Sequence, residues 1–319
     1  MSFKLNHLKV LSILLPCLLG WILAYIATNV YITYAVGLFV WLPFVLGATS
    51  TLIFSAEDGV TRNSLKYNSY LTLITFCLGF LFFAWEGIIC LVMALPIGMF
   101  FNYLGFLIGY ALTKNRLNAK SPMIITFLFL SVPGLMSFER ITERKDYLRS
   151  VKSSIEINAK PELVWSNVIS FPKLKEPSEF IFKTGIAYPT SATINGSGVG
   201  AIRYCNFTTG CFIEPITIWD KPNVLEFSVQ EQPEPMKELS FYDIHPSHLN
   251  GYWISQKGQF KLKRLPNGNT LLEGTTWYIN KIQPGFYWTI WSDYIVHKIH
   301  NRVLEHIKER SEKSKKPNA

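Results

Sequence analysis

The first part of this 319-residue sequence has very little charge. No Asp, Glu, Lys or Arg occurs from Val10 to Ala56, and Ser69–Thr113 carries only Glu86. A membrane-spanning helix needs about 20 apolar residues, so each stretch has room for two crossings, and the uncharged Ser121–Phe138 supplies a fifth. The predicted spans are 10–27, 31–54, 69–85, 88–112 and 121–138, which together form an all-α transmembrane domain of residues 1–138.

Other motifs that the sequence lacks argue against several classes of protein. The five cysteines contain no CxxC pair and most lie in apolar stretches, which argues against a zinc ribbon and a disulfide framework. No P-loop, GxGxxG or ordered Ser-His-Asp pattern is present. The formal charge is +9, but no dense cluster of Lys and Arg alternates with aromatic residues before the C-terminal tail. We therefore predict no cofactor, no metal and no nucleic-acid partner.

Basic residues are distributed unevenly around the predicted spans. No small-x-small cleavage site follows the first apolar run, so we interpret it as an uncleaved anchor. The turns at Thr28–Tyr31 and Trp85–Gly87 contain no Lys or Arg, whereas the alternate loops are basic. Because basic loops stay in the cytoplasm, this predicts a cytoplasmic N-terminus and, after five crossings, a C-terminal domain outside. The basic loop residues are Lys4, Lys9, Arg62, Lys66, Lys114, Arg116 and Lys120.

The alternative orientation of the C-terminal domain stays open. Four basic residues follow the fifth predicted span, and basic residues next to a span favour the cytoplasmic face. A domain of this length is translocated largely regardless of charge, and acidic residues are interspersed here. The basic residues are Arg140, Arg144, Lys145 and Arg149.

The second half of the chain has the pattern of an α+β domain. We place a juxtamembrane linker at residues 139–150, the domain at 151–312 and a basic tail at 313–319. Val151–Asn158 and four later stretches are rich in β-branched and aromatic residues, which predicts an antiparallel sheet. Apolar residues at every fourth position predict one amphipathic helix from Pro284 to about Ser311. A long helix held by a curved sheet leaves a cavity between them. The four stretches are Gly200–Trp219, Val224–Gln230, Tyr252–Lys263 and Thr270–Asn280, and the helix positions are Ile295, Ile299, Val303 and Ile307.

The start of this domain carries a family resemblance. Val151–Val168 reads V-K-S-S-I-E-I-N-A-K-P-E-L-V-W-S-N-V, in which a strand leads into the A-K-P-E-L-V-W start of a short helix. Together with the strand meander and the final helix, this resembles the START/SRPBCC superfamily of polyketide cyclase/dehydrase-like proteins. The resemblance covers about residues 151–310 and implies a helix-grip fold. It implies no particular chemistry, because the superfamily includes lipid carriers, hormone receptors and cyclases.

A narrower resemblance rests on three runs of residues. They are the run from Arg203-Tyr204-Cys205 to Glu214-Pro215-Ile216, the run His245-Pro246-x-His248-Leu249, and, in the membrane half, Glu86-Gly87-Ile88-Ile89-Cys90. With the five predicted spans, these are similar to a group of bacterial membrane-anchored SRPBCC proteins of unassigned function. This resemblance therefore implies a membrane location and a fold, and little mechanism.

Candidate ligand-binding residues lie on a predicted hairpin. Thr209-Gly210 separates two β-rich runs, and the simplest register pairs Phe207 with Phe212 and Cys205 with Glu214. Alternation then places one set of residues on a single face. If that face is concave, its charged pair can orient the polar group of an apolar ligand; if it is convex, the pair is a solvent-exposed ion pair. The set is Arg203, Cys205, Phe207, Phe212, Glu214 and Ile216.

Histidines and tryptophans supply further candidates. Residues 231–251 form a connection too long for a hairpin turn, which is typical of a lid, and contain His245 and His248. On the final helix, Asp293, His297 and His300 have i, i+4, i+7 spacing and share one stripe. We predict the four histidines as ligand contacts, with packing or surface positions as the alternative. Trp253 and Trp277 either line the pocket or belong to the core.

Glu86 is the one candidate in the membrane half. It stands at the predicted turn between two spans, where a carboxylate can reach interfacial water. If Trp85–Leu95 instead dips back into the bilayer, Glu86 is buried and becomes a candidate functional group.

The observations favour ligand binding over catalysis. The first hypothesis is a membrane-anchored protein whose cavity binds a hydrophobic small molecule, such as a lipid or isoprenoid delivered from among the membrane lipids. The second is a cyclase, dehydratase or hydrolase that uses Glu214, Arg203 and the loop histidines as acid and base. The third is a structural or regulatory module whose cavity is closed.

Overall fold

The computed structural model describes residues 7–114, 121–142 and 146–315, which form two compact units. The first unit comprises the described residues of Met1–Lys145 together with Glu238–Ser247 and Ile282–Tyr287. The second comprises Asp146–Lys237, His248–Lys281 and the described residues of Trp288–Ala319. Lys4, most of the predicted basic loop at 114–120, part of the predicted linker and the end of the basic tail lie outside the described residues.

Long apolar helices make up most of the first unit. A π-helical turn, Ile26–Val30, follows the first of them, and another, Gly37–Trp41, precedes the second. Among the described residues, five helices are long and apolar enough to cross a membrane, so the predicted number of candidate spans is confirmed. The candidate spans are His7–Val30, Gly37–Phe54, Arg62–Phe82, Ile88–Lys114 and Pro122–Ile141, so the first two include the π-helical turns. The α-helices are α1 (His7–Tyr25), α2 (Leu42–Phe54), α3 (Arg62–Phe82), α4 (Ile88–Lys114) and α5 (Ser121–Ile141).

Several helix boundaries differ from the predicted spans; the second span, for example, begins at Gly37 and not at residue 31. Two of the differences have a structural reason. Helix α3 begins at Arg62, seven residues earlier than expected, because the Thr61 hydroxyl caps it by accepting a hydrogen bond from Ser64 N at 3.2 Å. Helix α5 continues through Pro133 to Ile141, so Glu139 belongs to this helix and not to a linker. The buried Glu139 carboxylate accepts hydrogen bonds from the backbone N–H groups of Val36 at 3.0 Å and Gly37 at 3.1 Å. It therefore stabilises the start of the π-helical turn before α2, where backbone dipoles favour negative charge.

Glycines let α2 and α4 approach each other closely. A Cβ atom at Gly105 would lie 2.0 Å from the carbonyl oxygen of Phe44, and one at Gly47 would lie 2.2 Å from that of Asn102. Larger residues at either position would push the two backbones apart. Close contacts through small residues are typical of helices that pair in membranes.

The second unit is built on one antiparallel sheet. Among the described residues it has seven strands in the order β1-β7-β6-β5-β4-β3-β2. The sequence prediction lacks β2, because Ser191, Thr193 and Asn195 leave this strand with few apolar residues. The strands are β1 (Arg149–Ile157), β2 (Pro189–Asn195), β3 (Ile202–Phe207), β4 (Gly210–Asp220), β5 (Val224–Ser228), β6 (Trp253–Arg264) and β7 (Thr270–Asn280).

Two helices complete this unit. The short α6 (Pro161–Ile169) begins with a proline in its first turn, as predicted, and the long α7 (Gly285–Lys315) follows β7. From Trp288 onward, α7 belongs to the second unit, and its Leu304 and Ile307 are fully buried in a core with residues of the sheet and α6. A curved antiparallel sheet that holds a long C-terminal helix is the helix-grip fold. The predicted fold class is therefore confirmed.

The predicted hairpin register is wrong by two residues, although the predicted face is right. Strands β3 and β4 pair Phe207 with Gly210, Cys205 with Phe212 and Arg203 with Glu214, because the turn consists of Thr208 and Thr209. A shift by an even number of residues keeps every side chain on the same face.

Candidate ligand-binding site

A cavity of about 180 Å³ lies in the second unit, with walls from strands β3–β7 and α7. Pro233–Met236, at the start of the long connection between β5 and β6, also line it. The wall is mainly apolar and aromatic, and a few polar side chains interrupt it. Apolar lining residues include Phe207, Phe212, Phe227, Phe260, Ile299 and Val303, and polar ones are Arg203, Glu214, Glu234, Ser255, Gln259, Thr275, Thr276, Ser292 and His300.

Arg203 and Glu214 form an ion pair in this wall. They face each other across β3 and β4, and Nη1 of Arg203 donates a hydrogen bond to Oε2 of Glu214. Only 2% of the Arg203 side chain and 7% of the Glu214 side chain are exposed. A buried charge that loses its partner is strongly destabilising, so these two side chains are stable here only as a pair. The predicted charged pair thus exists, and the solvent-exposed alternative is wrong.

Aromatic rings surround the Arg203 guanidinium. Its central carbon lies 5.2 Å from the ring centroid of Phe227, 5.7 Å from that of Phe171 and 5.8 Å from that of Phe260. The position of Phe227 depends on Gly258, its direct partner on β6, where a Cβ atom would lie 2.5 Å from the ring. Cation–π attraction therefore adds to the ion pair.

Burial sets the protonation of the groups beside the pair. It raises the pKa of the Glu214 carboxyl, and the neighbouring Arg203 partly opposes this rise. Burial also raises the pKa of Cys205 to about 12, so Cys205 is a neutral thiol at neutral pH. Because the thiolate is the nucleophilic form, Cys205 acts here as a small wall residue and not as a nucleophile.

His300 is held on both sides of its ring. Its Nε2 lies 2.8 Å from Oγ1 of Thr276, and its Nδ1 lies 3.2 Å from Oγ of Ser153. The same Ser153 oxygen lies 2.7 Å from Nδ1 of His297, one turn earlier on α7. Burial lowers the pKa of His300 to about 4, and the nearby His297 adds to the effect. His300 is therefore neutral at pH 7 and links α7 to β1 and β7.

The third residue of this stripe, Asp293, has other partners. Its carboxylate accepts a hydrogen bond from the Tyr278 hydroxyl at 2.6 Å and one from Nε of Arg149 at 3.0 Å. Asp293, His297 and His300 thus share one stripe, as predicted. Each side chain bonds to the sheet, and within the described part of the chain the three do not form a metal-binding group.

The structure brings most of the candidate residues of this half to the cavity. They are Arg203, Cys205, Phe207, Phe212, Glu214, Trp253 and His300. Trp253 also stacks on Tyr278, with ring centroids 5.4 Å apart. His297 is exposed and does not line the cavity, although its Nδ1 contacts Ser153.

Three other candidates lie elsewhere. Trp277 is on the opposite face of β7 from the cavity-lining Thr276, and its ring centroid lies 4.4 Å from Nζ of Lys257. His245 belongs to Glu238–Ser247, in the first unit, and is exposed beside Asp243. His248 lies in the short 3-10 turn Ser247–Leu249 and is not among the residues that line the cavity.

Sequence reasoning missed part of the wall. Phe227 and Phe260 lie on predicted strands, and their apolar side chains were the only local indication that they could line a cavity. Trp253 and Phe260 both line the cavity although an odd number of positions separates them, because a β-bulge between Ser255 and Lys257 resets the alternation of β6. Strict alternation would place them on opposite faces, so no regular pattern identifies both.

Glu86 is buried within the first unit. Its relative exposure is 7%, and it lies in the turn between α3 and α4, directly before Ile88 begins α4. The interpretation in which its side chain reaches interfacial water is therefore wrong.

Comparison with solved structures finds matches that cover about half of this chain. A point mutant of norcoclaurine synthase from Thalictrum flavum, in complex with a transition-state analogue, matches 55% of this chain and 100% of its own, with 12% identity and a TM-score of 0.36. Protein XoxI from Bacillus cereus matches 50% of this chain and 93% of its own, with 15% identity and a TM-score of 0.33. The Aha1 dimer from Colwellia psychrerythraea matches 53% of this chain and 99% of its own, with 16% identity and a TM-score of 0.31.

At such low identity and TM-score, these likenesses indicate nothing about function. No protein-family model matches the chain. No curated protein sequence matches it either.

Proposed function

We propose that the second unit binds a compact, mainly apolar small molecule, and that the first unit anchors the protein in a membrane. The observation that carries this proposal is a single buried ion pair, Arg203–Glu214, in a wall made mostly of aromatic and aliphatic side chains. Small-molecule pockets combine an apolar lining with a few fixed polar groups that orient the ligand. The cavity has this composition.

The cavity volume limits what can bind. A cavity of about 150 Å³ in another protein accommodates benzene. At about 180 Å³, this cavity has room for a group only slightly larger. A complete lipid or isoprenoid is too large, so a ligand from among the membrane lipids would place only one end of its chain here. A small aromatic compound would fit whole.

One polar group of the ligand would be recognised at Arg203. The Nε atom of this side chain is buried and has no hydrogen-bond acceptor among the described residues. A ligand hydroxyl or carbonyl oxygen could accept this hydrogen bond without disturbing the Arg203–Glu214 pair. Because that pair is neutral as a whole, the site favours a neutral ligand over a strongly charged one.

The same contacts favour binding over acid–base catalysis. The carboxylate of Glu214 is held by Arg203, both ring nitrogens of His300 face hydroxyl groups, and Cys205 is a neutral thiol. A general acid or base must reach the reacting group of a substrate. These side chains instead direct their polar atoms at one another or at the sheet.

Glu214→Gln should reduce ligand occupancy about tenfold, because Arg203 loses the charge that fixes its orientation. The matched control is Glu226→Gln on β5, since Glu226 pairs with Lys257 at 3.2 Å and with Gln259 at 2.9 Å and does not line the cavity. Native mass spectrometry of the full chain in detergent would measure the bound fraction. Equal loss in both variants, or no loss in either, would show that the ligand does not use this pair.

We also propose a bacterial inner-membrane location, with a cytoplasmic N-terminus and the second unit outside. The support is the absence of Lys and Arg from alternate turns. In a cysteine-free background, a cysteine replacing the exposed Lys263 should react with a membrane-impermeant maleimide in intact spheroplasts, and one replacing the exposed Asp58 should not. If Lys263→Cys reacts only after lysis, the second unit is cytoplasmic.

A further inference from the structure

Three side chains with metal-binding atoms converge in the first unit. The Sγ atom of Cys90 and carboxylate oxygens of Glu86 and Glu238 all lie within 4.8 Å of one another. Glu86 comes from the turn between α3 and α4, Cys90 from the first turn of α4, and Glu238 from the Glu238–Ser247 stretch. The Ile88 N–H donates a hydrogen bond to the Leu239 carbonyl at 2.9 Å, which fixes this stretch beside the turn.

The cluster is buried, and each of its three side chains becomes negatively charged when it loses its proton. Glu86 and Glu238 are each only 7% exposed, and Sγ of Cys90 lies 2.6 Å from Oε1 of Glu238. That separation is shorter than the 3.3 Å between Sγ of Cys17 and its carbonyl acceptor. Neighbouring carboxylates in the interior repel each other and lose hydration, so a cation bound among them would be favoured by their charge.

The backbone is shaped to bring these groups together. A Cβ atom at Gly87 would lie 1.9 Å from Oε2 of Glu238, so only glycine lets this carboxylate approach the turn. Glu86 lies two residues before α4 and Cys90 lies in its first turn, so the two side chains meet where the helix begins. The close approach is therefore a specific feature of this turn.

We propose that Glu86, Cys90 and Glu238 bind a zinc ion. Thiolate and carboxylate are both established zinc ligands, whereas calcium and magnesium prefer oxygen ligands alone. The ion would offset the buried negative charge and hold Glu238–Ser247 against the turn. Because Cys90 must lose its proton to bind zinc, affinity should fall as the pH is lowered.

Metal analysis of the full chain, purified in detergent without a polyhistidine tag, tests this proposal. We expect about one zinc per chain after dialysis, and a loss of zinc affinity of about tenfold or more in Cys90→Ser and in Glu238→Gln. Cys77→Ser in α3 and Glu57→Gln before it are matched changes outside the cluster and should retain the metal. Cobalt in place of zinc should show a thiolate charge-transfer band that Cys90→Ser removes.

Equal zinc content in all variants would identify an adventitious ion, and absence of zinc from the parent after incubation with zinc would favour a shared proton. Either result overturns the proposal. If the variants fail to fold, the same question can be tested on the parent protein. Removal of the metal with a chelator should make Cys90 reactive toward a small alkylating reagent, and added zinc should protect Cys90 again. Cys90 alkylation that is insensitive to zinc would contradict the site.

Discussion

Glu214→Leu should lower the free energy of unfolding of the second unit by about 3–5 kcal/mol, because it leaves the Arg203 guanidinium charged and buried without its partner. Arg203→Met/Glu214→Leu, which removes both charges and keeps apolar volume, should be far more stable than the single variant and close to the parent. The comparison separates the cost of an unpaired charge from the net contribution of the pair.

Hydrogen exchange measured by mass spectrometry on the full chain would localise this effect. Peptides from β3 and β4 should lose protection in the single variant and regain it in the double variant, and peptides from α4 should be unchanged. Glu273→Gln is the surface control, since Glu273 pairs with Lys152 at 3.0 Å while the Lys152 side chain is 62% exposed. It should cost less than about 1 kcal/mol. If Glu214→Leu lowers the free energy of unfolding by no more than Glu273→Gln does, the Arg203–Glu214 pair is not buried in solution.

Local patterns in the sequence predict much of this fold. Uncharged stretches identify the candidate spans because a membrane core excludes unpaired charge. The four-residue repeat on α7 identifies the helix that the sheet holds, and Val303 and Ile307 of this repeat are indeed buried. Alternation on β3 and β4 places Arg203 and Glu214 on the cavity face even though the register was wrong, because the error was an even number of residues.

Features that depend on distant residues could not be predicted in this way. Cys90 and Glu238 are 148 residues apart, and no local pattern indicates that Glu238–Ser247 joins the apolar helices. The histidines of the long connection were expected at the cavity, but Pro233–Met236 of that connection line it instead. Cap and bulge positions, such as Thr61 before α3 and the bulge in β6, likewise depend on packing as well as on composition.

Filling the cavity should abolish ligand binding without unfolding the second unit. Gly274 lies on β7, in the cavity wall, and a Cβ atom there would lie 3.7 Å from Leu304 and 3.7 Å from Phe260, which are ordinary contact distances. Gly274→Ala should therefore fit and leave most of the cavity open. Gly274→Leu adds a branched side chain that must occupy the space proposed for the ligand, and the cavity of about 180 Å³ gives this side chain room without overpacking the core.

The measurement that tests the binding proposal most directly is native mass spectrometry of the parent, Gly274→Ala and Gly274→Leu proteins in detergent. We expect one bound apolar molecule of the same mass in the parent and in Gly274→Ala, and none in Gly274→Leu at unchanged thermal stability. A bound molecule that persists in Gly274→Leu would place the ligand outside this cavity. A parent protein that carries no molecule and takes up no small aromatic compound would contradict ligand binding itself.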